Sequence, residues 1–146
     1  MFLDTLHEAY KGNETLFKDL FLEKNWDWSK KYPVIKISFG GGETTGLEGL
    51  QLVIQDMFLA FQRQYQIKLE SSSASGKFKE LIELLYKKKE QKVVILIDEY
   101  DKPILDVIDK DFAYQVRDEL KNLYSVVKDS DKYIQLAFIT GVSHAL

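Results

Sequence analysis

The chain has 146 residues, 45% of them hydrophobic and 29% charged, which is one domain's length, able to bury roughly 70% of the surface its unfolded form exposes, and excludes wholesale disorder. A formal net charge of −3 gives no global electrostatic case for a nucleic-acid or membrane binder. With no cysteine and two histidines, disulfide frameworks, thiolate catalysis, cysteine-zinc sites and a histidine-built metal site are excluded. No apolar run approaches the roughly 20 residues of a membrane span, and Asp4 and His7 are unlike a signal peptide. The default expectation is a cytoplasmic α/β domain.

In chain order, Phe2, Leu6, Ala9 and Tyr10 share one helical face, and Gly12 is placed as its C-terminal cap. Asn13 or Thr15 is expected to cap a short second helix bearing Leu16, Phe17, Leu20 and Phe21. After a turn around Trp26 and Trp28, Val34–Phe39 alternates Ile35, Ile37 and Phe39 with Lys36 and Ser38, the pattern of a strand with one polar face or of a sheet edge. Gly40–Gly42 ends it. Thr44 or Thr45 is expected to cap a long helix with Leu47, Leu50, Ile54, Met57, Phe58, Phe61 and Tyr65 on one face. Ser71–Gly76 reads as a loop. Phe78, Leu81, Ile82 and Leu85 mark a further helix, closed by Lys87–Lys89. Val93–Ile97 is apolar on both faces, as a central parallel strand is. Phe112, Val116, Leu120, Leu123 and Val127 give another helix, and Ile134–Ile139 a third strand. Strands alternating with helices predict an α/β fold with a parallel sheet of about three strands flanked by helices.

The segment with chemistry is Ile97-Asp98-Glu99-Tyr100-Asp101-Lys102-Pro103. A buried strand delivering two acids at its carboxyl end puts them where open α/β sheets bind ligands. In P-loop NTPases such a strand places an aspartate toward Mg²⁺ and a following acid toward the attacking water. From the residues alone, acids that merely cap and solvate the loop after a strand fit equally well.

The ten residues Leu96–Leu105 closely resemble the Walker B segment of the AAA-ATPase-like domains, bacterial P-loop proteins that often carry a nuclease-like domain further along. Phe2–Leu6 resembles the helix after that family's Walker A loop. Leu16-Phe17, Tyr32–Ile35 and Ser38-Phe39 resemble its next strand and approach, Leu123–Lys128 the helix after Walker B, and Phe138–Ser143 the sensor strand. The resemblance covers essentially residues 1–146 and implies a P-loop NTPase-like, incomplete sheet. It implies Asp98 as the Mg²⁺-associated acid, acting through water, and Glu99 as the water-activating one. Thr140 is expected near the γ-phosphate, with Ser143 a further cofactor-binding candidate. ATP and Mg²⁺ are the implied ligands. Asp101 and Lys102 belong to the string without an implied role.

No G-x-x-x-x-G-K-[ST] cradle occurs in the chain. Ser75-Gly76-Lys77 imitates its tail but has Ser71 where a glycine is needed and Phe78 where a hydroxyl is needed. The resemblance places the P-loop immediately before Met1, so the chain is expected to be a partial domain, silent as an ATPase alone, within a parent that hydrolyses ATP. With the Walker B strand central, Ile134–Ile139 becomes an apolar unpaired edge, and self-association through it is expected. Two rivals remain. A metal-dependent nuclease would gather Mg²⁺ on Asp98, Glu99 and Asp101 with Glu90-Gln91-Lys92 as an E-x-K fragment, although no basic groove accompanies them; nucleic acid is otherwise expected only through missing regions. A non-enzymatic interaction module would leave the acids vestigial. His7 and His144 read as ordinary surface and near-terminal residues, and Trp26 and Trp28 as local turn packing.

Overall fold

A computed structural model describes residues 2–142. The elements run α1 (Phe2–Lys11), a 3₁₀ turn (Glu14–Phe17), α2 (Phe21–Asn25), β1 (Val34–Ser38), α3 (Leu47–Tyr65), α4 (Ala74–Lys89) and β2 (Val93–Asp98). Then follow α5 (Lys102–Asp106), α6 (Ala113–Asp129), a second 3₁₀ turn (Asp131–Tyr133) and β3 (Ile134–Ile139). The three strands form one parallel sheet in the order β1-β2-β3. The α/β parallel architecture and the central place of the all-apolar strand are as its sequence pattern requires: Val93, Val94, Ile95 and Leu96 are fully buried.

Helices cover both faces unequally. Ile35 and Ile37 of β1 and Val93, Ile95 and Ile97 of β2 join Leu50, Ile54, Phe58, Phe78, Leu81, Ile82, Leu85 and the inner side of α6 in the main core. The opposite face holds a small cluster of Leu3, Val34, Val94 and Leu96 beneath α1. Lys36 points to that smaller side and ion-pairs with Asp4 of α1, so its polarity marks a helix contact as well as a sheet edge. The hydrogen bond from the Tyr32 amide to the Tyr10 carbonyl, 2.8 Å, ties α1 to the start of β1.

Several local expectations are corrected. In α1 the buried residues are Leu3 and Ala9, whereas Phe2 is 60% exposed, its ring in a T-shaped contact with that of Phe138. Leu3, Leu6 and Tyr10 satisfy helical spacing as well as the expected set does, and the sheet decides between the two. The second helix is split by Asp19, whose φ of +64° breaks the run, and Asn13 makes no capping bond because its side chain donates to Glu8. Gly46, not Thr44 or Thr45, precedes α3. Helix α4 begins inside the serine-rich stretch, where Ser73 accepts from the Gly76 amide at 3.0 Å. Helix α5 has no counterpart among the expected elements. Gly12, with φ +84°, ends α1 as its glycine requires.

Candidate functional site

Three chain segments leave the carboxyl end of the sheet side by side. Ser38 pairs with Asp98 in the β1–β2 register, and Ile97 pairs with Ile139 in the β2–β3 register. Asp98 and Thr140 are therefore neighbours directly past the last paired residues. Thr140 Oγ1 donates to Asp98 Oδ1 at 2.7 Å. The Thr140 amide donates to the Ile97 carbonyl at 2.8 Å, and the Tyr100 amide to the Thr140 carbonyl at 2.9 Å, so the backbone of β3 is pinned to β2 on both sides of that hydroxyl. On the other flank, the Phe39 amide reaches the Asp98 carbonyl at 3.1 Å. Asp98, Glu99 and Thr140 are all half-buried.

Glu99 sits at φ +54°, the left-handed region that side chains other than glycine, asparagine and aspartate rarely occupy. This turn swings the chain out of β2 and lays the Glu99 carboxylate against Gly40, where any Cβ would collide with it. Gly40 therefore does more than end a strand: it makes room for the second acid. Beyond it, Lys102 Nζ donates to the Gly42 carbonyl at 2.5 Å and to Asp106 Oδ2 at 2.9 Å, and the Thr44 amide donates to the same Asp106 oxygen at 2.8 Å. Burial pushes the Asp106 carboxyl up, but the Thr44 amide and the Lys102 ammonium together outweigh it and hold the group below its ordinary value.

The structure thus brings Asp98, Glu99 and Thr140 together; Ser143 and His144 lie outside the described residues. A Mg²⁺ ion typically keeps several waters and takes one or two carboxylates plus substrate phosphates. A half-buried Asp98, with Oδ1 fixed by Thr140, fits that demand. Among the described residues no group of three or more acidic or histidine side chains is placed to hold a metal, and Asp101 turns away to accept from the Val142 amide at 2.8 Å. Glu90 of the E-x-K fragment ends α4 with φ +51°, ahead of β2. Ser75-Gly76-Lys77 lies in the first turn of α4, after a loop and not after a strand. Trp26 and Trp28 pack locally, against Tyr10 at 4.9 Å and Phe17 at 5.2 Å between ring centroids.

The family model described as "Predicted AAA-ATPase" matches residues 1–146. The chain belongs to this AAA-ATPase-like family. It is also 42% identical, over 144 residues, to a protein of Azotobacter chroococcum mcd 1 described as "Uncharacterized protein in vnfD 5'region". That match takes in 98% of this chain and 28% of the relative's length. No solved structure matches the chain. Among the described residues of this AAA-ATPase-like chain, no helix is long and apolar enough to cross a membrane. Asp98, Glu99 and Thr140 were expected at neighbouring strand ends and are found there, whereas the contacts of Gly40, Thr44 and Asp106 with this region carry only a spatial signal. A cavity of about 520 Å³ borders the site beyond Tyr100, lined by Ile104, Arg117, Leu120, Lys121, Tyr124 and Ile139; none of Asp98, Glu99 and Thr140 lines it.

Proposed function

We propose that the carboxyl end of this sheet is the metal-and-water side of an ATP-hydrolysing site. The observation that carries the reading is the 2.7 Å bond from Thr140 to Asp98 across two adjacent parallel strands, with Glu99 turned out beside it. Asp98 is the residue that would hold Mg²⁺ through a water, and the ion would supply neutralisation of phosphate charge. Glu99 orients and deprotonates the attacking water. The Thr140 hydroxyl holds the Asp98 carboxylate and would face the γ-phosphate. Since the 146 residues contain no G-x-x-x-x-G-K-[ST], the phosphate cradle in this reading comes from elsewhere in a longer polypeptide, and these residues alone are silent. The test is Mg²⁺-dependent ATP hydrolysis by the full open reading frame that contains them, beside the 146-residue chain. Turnover by the former only is expected, reduced about 10–100-fold by Asp98→Asn, as for a group acting through a metal's outer shell. Turnover by the short chain, or full-length turnover indifferent to Asp98→Asn, sinks the reading.

A second reading concerns association, favoured by the edge position of β3. Its outer side pairs with no strand among the described residues, and it carries Leu136, Phe138 and Ile139. Apolar unpaired edges template pairing with another chain, and we propose that the 146-residue chain self-associates there. Sedimentation of this chain is expected to depend on loading concentration, and Ala137→Lys, at an exposed position of β3, to shift it toward monomer. A monomer at every concentration overturns the idea.

A further inference from the structure

The two residues that follow Tyr100 reach in opposite directions across the mouth of the sheet. Asp101 Oδ1 accepts from the Val142 amide at 2.8 Å, 41 positions away in sequence. Its other oxygen lies so close to the next backbone that a Cβ on Gly141 would stand 2.9 Å from it. Lys102 reaches the other way, to the Gly42 carbonyl, 60 positions back, and is steadied by Asp106. Asp106 also takes the Thr44 amide. Both Asp101 and Lys102 are half-buried. The segment after β1 has little else to hold it near the site: the Gly40 amide contacts Ser38 Oγ only at 3.4 Å, and Gly41, Gly42 and Glu43 are exposed.

We infer that Asp101 and Lys102 are positioning residues that brace the two flanking loops against the acids of β2. Asp101 fixes Gly141 and Val142, and with them the Thr140 hydroxyl on Asp98. Lys102, through Asp106, fixes residues 42–44, and with them Gly40 beneath the Glu99 carboxylate. Neither side chain touches a reacting group. This explains why the acid pair and the Asp-Lys pair stand in one continuous string: the turn that aims Glu99 also launches the two struts. The inference rests on the hydrolytic reading for its consequence, but its geometry is testable without it.

The experiment has two arms. In the first, amide hydrogen exchange is followed on the 146-residue chain. Asp101→Ala is expected to speed exchange at Val142 about tenfold or more, the loss of one charge-assisted hydrogen bond. Lys102→Met is expected to do so at Thr44, with Ile95 and Ile97 unchanged as reporters of the intact sheet. Asp101→Asn, which keeps an acceptor oxygen, is expected to fall between, and serves in place of Asp101→Ala should that variant not fold. In the second arm, steady-state hydrolysis by the full-length protein is expected to lose about tenfold in kcat with KM for MgATP unchanged, and Lys102→Arg to recover much of the Lys102→Met loss. A merely structural pair would not divide kcat from KM in this way. Unchanged exchange at both Val142 and Thr44 overturns the brace, as does faster exchange with unaltered kcat. No turnover by the unsubstituted full-length protein counts against the hydrolytic reading instead, and the exchange arm alone then decides the brace.

Discussion

On the hydrolytic reading proposed above, Glu99→Gln is expected to lower ATP turnover by the full open reading frame 10²–10⁴-fold, about the range contributed by a positioned general base, while leaving MgATP binding intact. Glutamine keeps the length and one acceptor oxygen of glutamate but cannot take a proton from water. The carboxylate is confined by Gly40 on one side and by its own left-handed backbone, so the amide will occupy the same place and the substitution reads chemistry rather than geometry. A companion variant separates function from stability. Glu99→Gly removes the side chain and relieves a φ of +54° that costs a non-glycine residue about 1–2 kcal/mol. Its expected result is a melting temperature equal to or above that of the parent, together with the same loss of turnover. Phosphate release and thermal melts on the same preparations check both. A Glu99→Gln protein that hydrolyses ATP at the parent rate removes Glu99 from the mechanism, and a Glu99→Gly protein that melts well below the parent removes the claim of strain.

That pairing follows from how the strand end is built. Residues 93–96 are buried on both faces and tolerate no polar group without a partner, so Asp98 is the first position at which a charge can emerge. It emerges beside Thr140 because β2 and β3 are parallel and in register there. The left-handed step at Glu99 then ends the strand abruptly and starts α5 at Lys102. An unfavourable backbone at the second acid, held by neighbours on both sides, is the kind of strain that persists where a side chain must point one way.

Much of the sheet was legible in the sequence because its signals are local and strong. Alternation marked β1, an unbroken apolar run marked β2, and helical spacing found every buried residue of α4, namely Phe78, Leu81, Ile82 and Leu85. Asp98 and Glu99 were legible for a different reason, that strand ends are predictable once strands are, and Thr140 through the family resemblance of its strand. What escaped were choices made by tertiary contact. Leu3 rather than Phe2 turns inward, where it joins Val34, Val94 and Leu96 beneath α1. Thr44 does not cap α3, which starts at Leu47 after Gly46, and its amide donates to Asp106 instead. Helix α5 is five residues long, too short for any periodicity to announce it. The partners of Asp101 and Lys102 lie 41 and 60 residues away, and no spacing rule reaches that far.

The unequal faces of the sheet make a second large effect expected, this one on stability. Phe78→Ala should destabilise the chain by about 3–5 kcal/mol, against a total for a domain of this kind of about 5–15 kcal/mol. Phe78 is fully buried, stacks on Phe58 with centroids 6.0 Å apart, and sits where α3 and α4 meet the β1–β2 face. Its neighbours are β-strand and helix side chains that cannot collapse into the void without moving the sheet, so most of the cavity cost remains. Leu3→Ala on the opposite face is the informative contrast. Leu3 is also buried, at 3% exposure, but its cluster has only three other buried members, Val34, Val94 and Leu96. Its cost should fall at the lower end of the leucine-to-alanine range, about 2 kcal/mol. Urea unfolding followed by far-UV circular dichroism measures both, and equal midpoints for the two variants would contradict the asymmetry. The consequence reaches the site as well. Ile37, Ile95 and Ile97, on the strands that end at Ser38 and Asp98, rest on the same core as Phe78. A chain weakened there should lose the Thr140–Asp98 contact at lower denaturant than one weakened at Leu3.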